Sequence, residues 1–265
     1  MPEICIFSPN RYSLYTTTVT ALLIRRGIKI QTIYVRNLLN PKRFINEYRR
    51  DGSRLITKIW KKLVLREAGY QRVGDIRAFR EEQGIKVTDL FEFKKDPGIP
   101  VIQCNDLNDP VVIEGLKILQ PDLVIFTGGG LLRQEILSNS GHGVINCHMG
   151  VLPLYRGMDV VEWPILEGNP DKLGITVHFM DKGIDTGDIL RIVKIPPLNG
   201  ETIRSLRDRI EPIMCKTIVD TCIDFLDGKL TRKPQRIMDG KQYFKMHPTL
   251  MGITQGLAAK DNHDQ

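Results

Sequence analysis

The 265-residue sequence has only five cysteines, Cys5, Cys104, Cys147, Cys215 and Cys222, and no two of them form a CxxC pair. An odd count at wide spacing argues against a disulfide framework and against a zinc knuckle. Buried thiols in a reducing compartment are the expectation. Long apolar runs are also missing. Leu123-Val124-Ile125-Phe126 is typical of the longest, too short to cross a bilayer. The opening, Met1-Pro2-Glu3-Ile4-Cys5-Ile6-Phe7, lacks a basic start followed by a long apolar stretch, so no secretory signal is read and the cytoplasm is the expected location. No GxGxxG follows the first apolar run. The segment there is Ser8-Pro9-Asn10-Arg11-Tyr12, which gives a dinucleotide cofactor no support. His142, His178, His247 and His263 do not have ligand spacing, so no metal is expected.

What is present is an ordinary globular composition, 42% hydrophobic and 26% charged, enough for one large domain or a domain with a small appendage. The net charge of +7 is local. Between Pro41 and Gly74 stand ten Lys/Arg against Glu47, Asp51 and Glu67, so ten minus three accounts for the whole excess. The chain carries a basic patch; it is not basic throughout.

Apolar periodicity predicts a strand at residues 4–7, a helix at 14–26 and a strand at 28–35, the β-α-β opening of a doubly wound sheet. Residues 38–95 interrupt the rhythm. They are polar, basic and helix-compatible, with Ile56, Ile59, Trp60, Leu63 and Val64 at helical spacing, and are read as a helical insertion. The rhythm then resumes. Strands are predicted at 100–102, 123–126, 143–147, 176–179 and 189–195, and helices at 111–119, 133–137, 158–166 and 201–226. Residues 231–246 read as short-stranded or irregular, and 260–265 as a polar tail. The expected fold is α/β, a Rossmann-like, doubly wound, mostly parallel sheet. A catalytic domain over 1–227 carries the insertion, and 228–265 form a short C-terminal extension.

The densest chemical signal is Val144-Ile145-Asn146-Cys147-His148-Met149-Gly150-Val151-Leu152-Pro153-Leu154-Tyr155-Arg156-Gly157. Asn146 and His148 are two apart, so on a strand they share a face. The Gly and Pro turn after them puts both at the carboxyl end of that strand, where open parallel sheets bind ligands. A second run, Met180-Asp181-Lys182-Gly183-Ile184-Asp185-Thr186-Gly187, is a loop between two apolar strands. An Asn, a His and an Asp at strand ends suit acyl transfer. Asn donates to a developing oxyanion, His donates to the same oxygen or moves protons, and Asp holds the His charge and orients a water. The same three types also serve as a turn Asn, a satisfied His and a turn Asp.

The pattern Asn146-x-His148, then Leu152-Pro153-x-Tyr155-Arg156-Gly157, then Asp181-x-Gly183-x-Asp185-Thr186-Gly187 resembles the folate-dependent formyltransferases. That family includes enzymes acting on methionyl-tRNA, glycinamide ribonucleotide and nucleotide-linked amino sugars. The resemblance is firm over 121–190, extends to the opening β-α-β unit and fails over 38–95. It implies that Asn146, His148 and Asp185 are catalytic, that N10-formyltetrahydrofolate is the co-substrate and that no metal is needed. It further implies that Asn146 and a protonated His148 stabilise the oxyanion while Asp185 supports the His and, through water, takes the amine proton. The folate pocket is then expected at Gly128, Gly129, Gly130, Leu131 and Leu132, closed by Asp181 and Gly183. Asn10 and Arg11 follow the first strand where relatives bind an acceptor phosphate, and Tyr155, Arg156 and Gly157 are expected at the acceptor entrance. One departure stands out: many members carry Ser two residues after the His, where this chain has Gly150.

For the acceptor, the residues after 226 are too few for an appended OB barrel, which counts against tRNA. An amino sugar carried on a nucleotide is favoured over another small biosynthetic amine. A methionyl-tRNA enzyme using the basic insertion and a formyltetrahydrofolate hydrolase remain the alternatives. The insertion itself reads as a solvated face, a polyanion or nucleic-acid site, or a contact with an anionic surface, and a homodimer is allowed for.

Overall fold

The computed structural model describes residues 2–37 and 75–260. The stripe Ile56, Ile59, Trp60, Leu63 and Val64, and the whole of the basic patch, lie outside the described residues.

The opening forms as its alternation dictates: β1 (Glu3–Ser8), α1 (Leu14–Arg25) and β2 (Lys29–Arg36). Ser13 caps α1, its hydroxyl accepting from the Thr16 N–H at 3.2 Å and satisfying one of the first-turn donors. Then come α2 (Asp75–Glu82), α3 (Glu92–Lys95), β3 (Val101–Cys104), α4 (Pro110–Leu119), β4 (Leu123–Phe126), α5 (Gln134–Ser138) and β5 (Val144–His148). The second half comprises β6 (Tyr155–Gly157), α6 (Glu162–Leu166), β7 (Gly174–Phe179), β8 (Ile189–Lys194), α7 (Ile203–Leu226), β9 (Lys241–Tyr243) and α8 (Pro248–Lys260).

Among the described residues, seven strands make one sheet in the order β3-β2-β1-β4-β5-β7-β8. The first five are parallel. β7 runs antiparallel to both β5 and β8, so the sheet is mostly parallel, as the rhythm predicts. Side chains alternate across it. Ile4 and Ile6 join a core with Val19, Leu23, Ile210 and Ile218 of α1 and α7, while Cys5 and Phe7 join a second core with Val112 and Leu116 of α4. Helices therefore cover both faces. β6 and β9 pair in parallel as a separate two-stranded sheet.

Three expectations need correction. First, the described end of the proposed insertion is integral to the core: Ile76, Leu90 and Phe93 are buried in the α1–α7 layer. Arg80 of α2 is buried too, donating to the Thr17 and Thr18 hydroxyls of α1 at 2.9 and 2.7 Å and to the Val87 carbonyl. Second, the helix expected from 158 starts only at Glu162, because Gly157 and Asp159 both have left-handed backbone, φ 98° and 53°. Third, the extension ends in a helix, α8, over a stretch between 246 and 260 for which the sequence pattern predicts no element; it packs on α6.

Candidate active site

Asn146 and His148 close β5, and the register of β5 with β7 sets Asn146 opposite His178 and His148 opposite Thr176. All four share the sheet face away from Cys147, which belongs to the α1–α7 core. Thr176 fixes the turn that follows β5. Its hydroxyl donates to the Gly150 carbonyl at 2.7 Å and accepts the Leu152 N–H at 3.1 Å.

Asp185 reaches the same place from the loop between β7 and β8. Its backbone is left-handed, φ 54°, a conformation that a non-glycine residue adopts at a cost. The loop is held in three ways. Asp181 Oδ1 accepts from the Gly183 N–H at 2.9 Å and the Thr186 hydroxyl at 2.6 Å. The Gly157 N–H donates to Asp185 Oδ2 at 2.9 Å. The Gln235 amide donates to the Asp185 carbonyl at 3.2 Å and to the Gly187 carbonyl. Gly187 is required by space, since a Cβ there would stand 2.0 Å from the Phe179 carbonyl oxygen.

The three expected residues do converge. His148 Nδ1 lies 3.4 Å from Asp185 Oδ2. A fourth residue, His178, which in the sequence is only a histidine without metal-ligand spacing, joins them. Its Nε2 lies 3.5 Å from Asp185 Oδ1 and 3.4 Å from the Asn146 amide nitrogen. Its Nδ1 is 2.8 Å from the Phe179 carbonyl, which can only accept, so Nδ1 carries the hydrogen. Nε2 is then free to accept from Asn146, and His178 thereby orients the Asn146 amide. The alternation Thr176-Val177-His178 was the signal for it, but only pairing with β5 gives that signal meaning.

Burial sets the charges. Desolvation draws the His148 ring below the ordinary histidine value, outweighing the opposing pull of Asp185, while the neighbouring His178 adds to the lowering. For Asp185, burial alone raises the carboxyl, but the Gly157 N–H and the charge that His148 carries once it is protonated hold it below the ordinary carboxylate value. Asp185 is thus ionised, and His148 is neutral near pH 7. His148 Nε2 is 2.9 Å from the Tyr155 carbonyl. In this arrangement neither ring nitrogen of His148 is free for the hydrogen bond to a formyl oxygen that the resemblance implies.

Beside this cluster, at the carboxyl ends of β1, β4 and β5, lies a cavity of 360 Å³. Asn10, Ser13, Tyr15, Thr127, Asn146 and Glu211 give it polar edges, and Ile76, Met149 and Met214 are among its apolar walls. Asn146 is the member of the cluster that lines it, and the expected Asn10 lines it too. Arg11 does not. It forms a two-pronged pair with Asp89 and stacks 4.5 Å over the Phe91 ring, so its charge is already matched.

Other expected contacts take structural roles. Tyr155 and Arg156 are buried, not at an entrance. The Tyr155 hydroxyl donates to Glu167 at 3.0 Å and its ring stacks on Tyr243 at 5.3 Å. Arg156 reaches the Ile237 and Gly240 carbonyls at 3.4 Å. Both tie β6 to the C-terminal segment. Gly128 lines the cavity, and Gly128, Gly129 and Gly130 all have left-handed φ, 123°, 139° and 106°. Leu131 is exposed, but Leu132 is buried in the α4-side core. Met180 packs on that same core, which brings the glycine turn and the Asp181–Asp185 loop to one face. Among the described residues no group of His, Cys, Asp and Glu is set to hold a metal, and no helix is long and apolar enough to cross a membrane.

A family model described as formyl transferase matches residues 74–221, so the resemblance extends into residues 74–95. Methionyl-tRNA formyltransferase of Geobacter metallireducens is 38% identical over 144 residues, 53% of this chain and 45% of that one. The chain spans about half the length of the curated relatives it matches. Among solved structures, glycinamide ribonucleotide transformylase 1 from Symbiobacterium toebii superposes with a TM-score of 0.58 at 17% identity, covering 89% of this chain and 95% of that one. The N-formyltransferase from Helicobacter canadensis, solved with folinic acid and dTDP-3-aminofucose, gives 0.59 at 14% identity, covering 97% and 80%. At such identities the likeness is one of fold.

Proposed function

The chain belongs to the formyl transferase family, and from that premise we propose that it moves a formyl group from N10-formyltetrahydrofolate to the amine of a small acceptor, an amino sugar on a nucleotide. The observation that carries the reading is the Asn146–His178–Asp185–His148 cluster with its Asn146 edge on a 360 Å³ cavity.

The residues present fit the donor. Leu131 and Ile184 are exposed apolar side chains on the two loops that share one face, as a flat ring requires. Gly128, Gly129, Gly130, Asp181 and Gly183 supply the surrounding backbone, and Leu132 supports it from below. When bound, the donor supplies an activated formyl carbon. Asn146, its amide oriented by His178, takes up the negative charge that grows on the formyl oxygen as an unprotonated amine attacks. One carbon–nitrogen bond forms and the bond to N10 breaks. The amine has one proton too many and N10 one too few. The His148–Asp185 pair holds that proton between its arrival and its departure. Gly157 contributes through its N–H to Asp185, and Asn10 is set to meet the acceptor.

The cavity supports a small acceptor, since sites for compact ligands begin at about 300 Å³, and the Helicobacter canadensis enzyme was solved with a nucleotide-linked amino sugar. A second reading, methionyl-tRNA, is favoured by the 38% identity to an enzyme of that name and by the basic patch of residues 41–74. Incubating the protein with N10-formyltetrahydrofolate and nucleotide-linked amino sugars, small amines or methionyl-tRNA separates these readings. Tetrahydrofolate release that depends on an amino sugar supports the first. Release that depends on methionyl-tRNA and collapses with added salt supports the second. Release without any acceptor identifies a hydrolase and refutes both.

A further inference from the structure

Gly150 is the position where this chain departs from the Ser that many relatives carry, and its surroundings give the departure a consequence. A Cβ on Gly150 would stand 2.8 Å from His148 Nε2 and 2.8 Å from the Tyr155 carbonyl oxygen, with Val160 Cγ2 at 3.0 Å. Those first two atoms are the partners of the 2.9 Å hydrogen bond that holds His148. Any side chain at 150 would therefore sit against the bond itself. The Val160 methyl on the other side and the Thr176 hydroxyl on the Gly150 carbonyl leave the backbone little room to yield.

The bond also decides where protons sit on the ring. A backbone carbonyl only accepts, so Nε2 must carry a hydrogen. In the neutral ring Nδ1 is then bare, 3.4 Å from an ionised carboxylate oxygen. That contact becomes a hydrogen bond only when Nδ1 gains a proton. The opposite tautomer would set an Nε2 lone pair against the Tyr155 oxygen at 2.9 Å, the closer and less tolerable of the two clashes. Among the described residues, Asp185 and His178 are the titratable groups that face this ring, and the His178 ring lies edge-on at 6.2 Å.

We propose that Gly150 is a positioning residue which fixes His148 with its Nε2–H on the Tyr155 carbonyl, so that protons enter and leave the ring only through Nδ1, on the Asp185 side. Resting on the formyl-transfer reading, this makes His148 the acceptor of the amine proton. The charge on the formyl oxygen is left to Asn146 rather than shared with His148. The proton taken up at Nδ1 converts the Asp185 contact into a charge-assisted hydrogen bond and returns to the leaving N10, so no net proton is gained.

The test is nitrogen NMR of the protein labelled in its histidines, with the His148 signals identified by their loss in His148→Asn. The neutral wild-type ring is expected to be protonated at Nε2 and bare at Nδ1. Gly150→Ala, folded by circular dichroism, is expected to lose the Nε2 preference. Its kcat should fall roughly 10- to 100-fold, up to the lower bound of what a placed proton carrier contributes, since the ring is displaced and not removed, with KM for the formyl donor unchanged. A wild-type ring protonated at Nδ1 overturns the proposal, and so does a folded Gly150→Ala protein with unaltered His148 signals. Should that variant not fold, the wild-type spectrum alone decides. A wild-type protein that transfers no formyl group would overturn the functional reading while leaving the tautomer result to stand on its own.

Discussion

Replacing Gln235 by Leu removes the amide that donates to the Asp185 and Gly187 carbonyls while keeping a side chain of similar size. Gln235 lies beyond the matched family region, in the segment after α7, yet it holds the loop that presents the carboxylate. Two hydrogen bonds at about 1 kcal/mol each give ~2 kcal/mol favouring the set loop. The left-handed backbone of Asp185 means the loop has somewhere to relax once they are gone. If the whole of that acts on the productive conformation, kcat falls on the order of 30-fold. Global stability changes less, because the buried Gln235 Oε1 has no partner and its removal offsets part of the loss. Gln235→Glu should be worse, since a carboxylate cannot donate and would face two carbonyl oxygens. The assay is tetrahydrofolate release at saturating donor, alongside urea unfolding. Wild-type kcat in Gln235→Leu would refute the claim that this segment sets Asp185. A loss confined to KM would move the role of Gln235 to binding.

Asn146→Ala should lower kcat by about 10²- to 10³-fold, the scale of one oxyanion donor, with the urea midpoint little changed; a loss under tenfold would contradict its role. The His148 and Asp185 shifts both point downward, so the unfolded chain binds more protons than the fold on the acid side. Their stabilisation is present above the ordinary values of 6.5 and 3.8 and is lost as pH falls, His148 first and Asp185 later. The melting temperature should therefore drop as pH falls from 7 through the region below 6.5, and His148→Asn should flatten that part of the curve; an unchanged curve would be contrary. Arg207 donates in two prongs to Glu162, at 2.8 Å from Nε to Oε1, and Glu162 is 0% exposed. Arg207→Ala should cost ~3–5 kcal/mol in urea unfolding by stranding that carboxylate, and a cost under 1 kcal/mol would show the pair is not structurally required.

The sheet was readable because its signal is local. Ile4-Cys5-Ile6-Phe7 and Leu123–Phe126 are short apolar runs bounded by turn residues, and strands β1 and β4 lie within one or two residues of those bounds. α8 was missed because Gly252 and Gly256 weaken its helical pattern, and packing on α6 supplies what propensity does not. In the site, the shared face of Asn146 and His148 follows from a period of two. The approach of Asp185 does not, because a loop with a left-handed residue makes it. Tyr155 and Arg156 read locally as entrance residues for the same kind of reason: their partners, Tyr243, Ile237 and Gly240, lie far along the chain, and no local pattern announces that β6 will pair with β9. His178 was hidden likewise, since its meaning depends on the register of β5 with β7.

The most direct measurement is a crystal structure of the protein with 5-formyltetrahydrofolate. The ring system is expected between the Gly128–Leu132 turn and the Asp181–Asp185 loop, with the formyl-bearing end within hydrogen-bond reach of the Asn146 amide. A ligand bound away from Asn146, or a protein that takes up no folate at saturating concentration, would contradict this expectation.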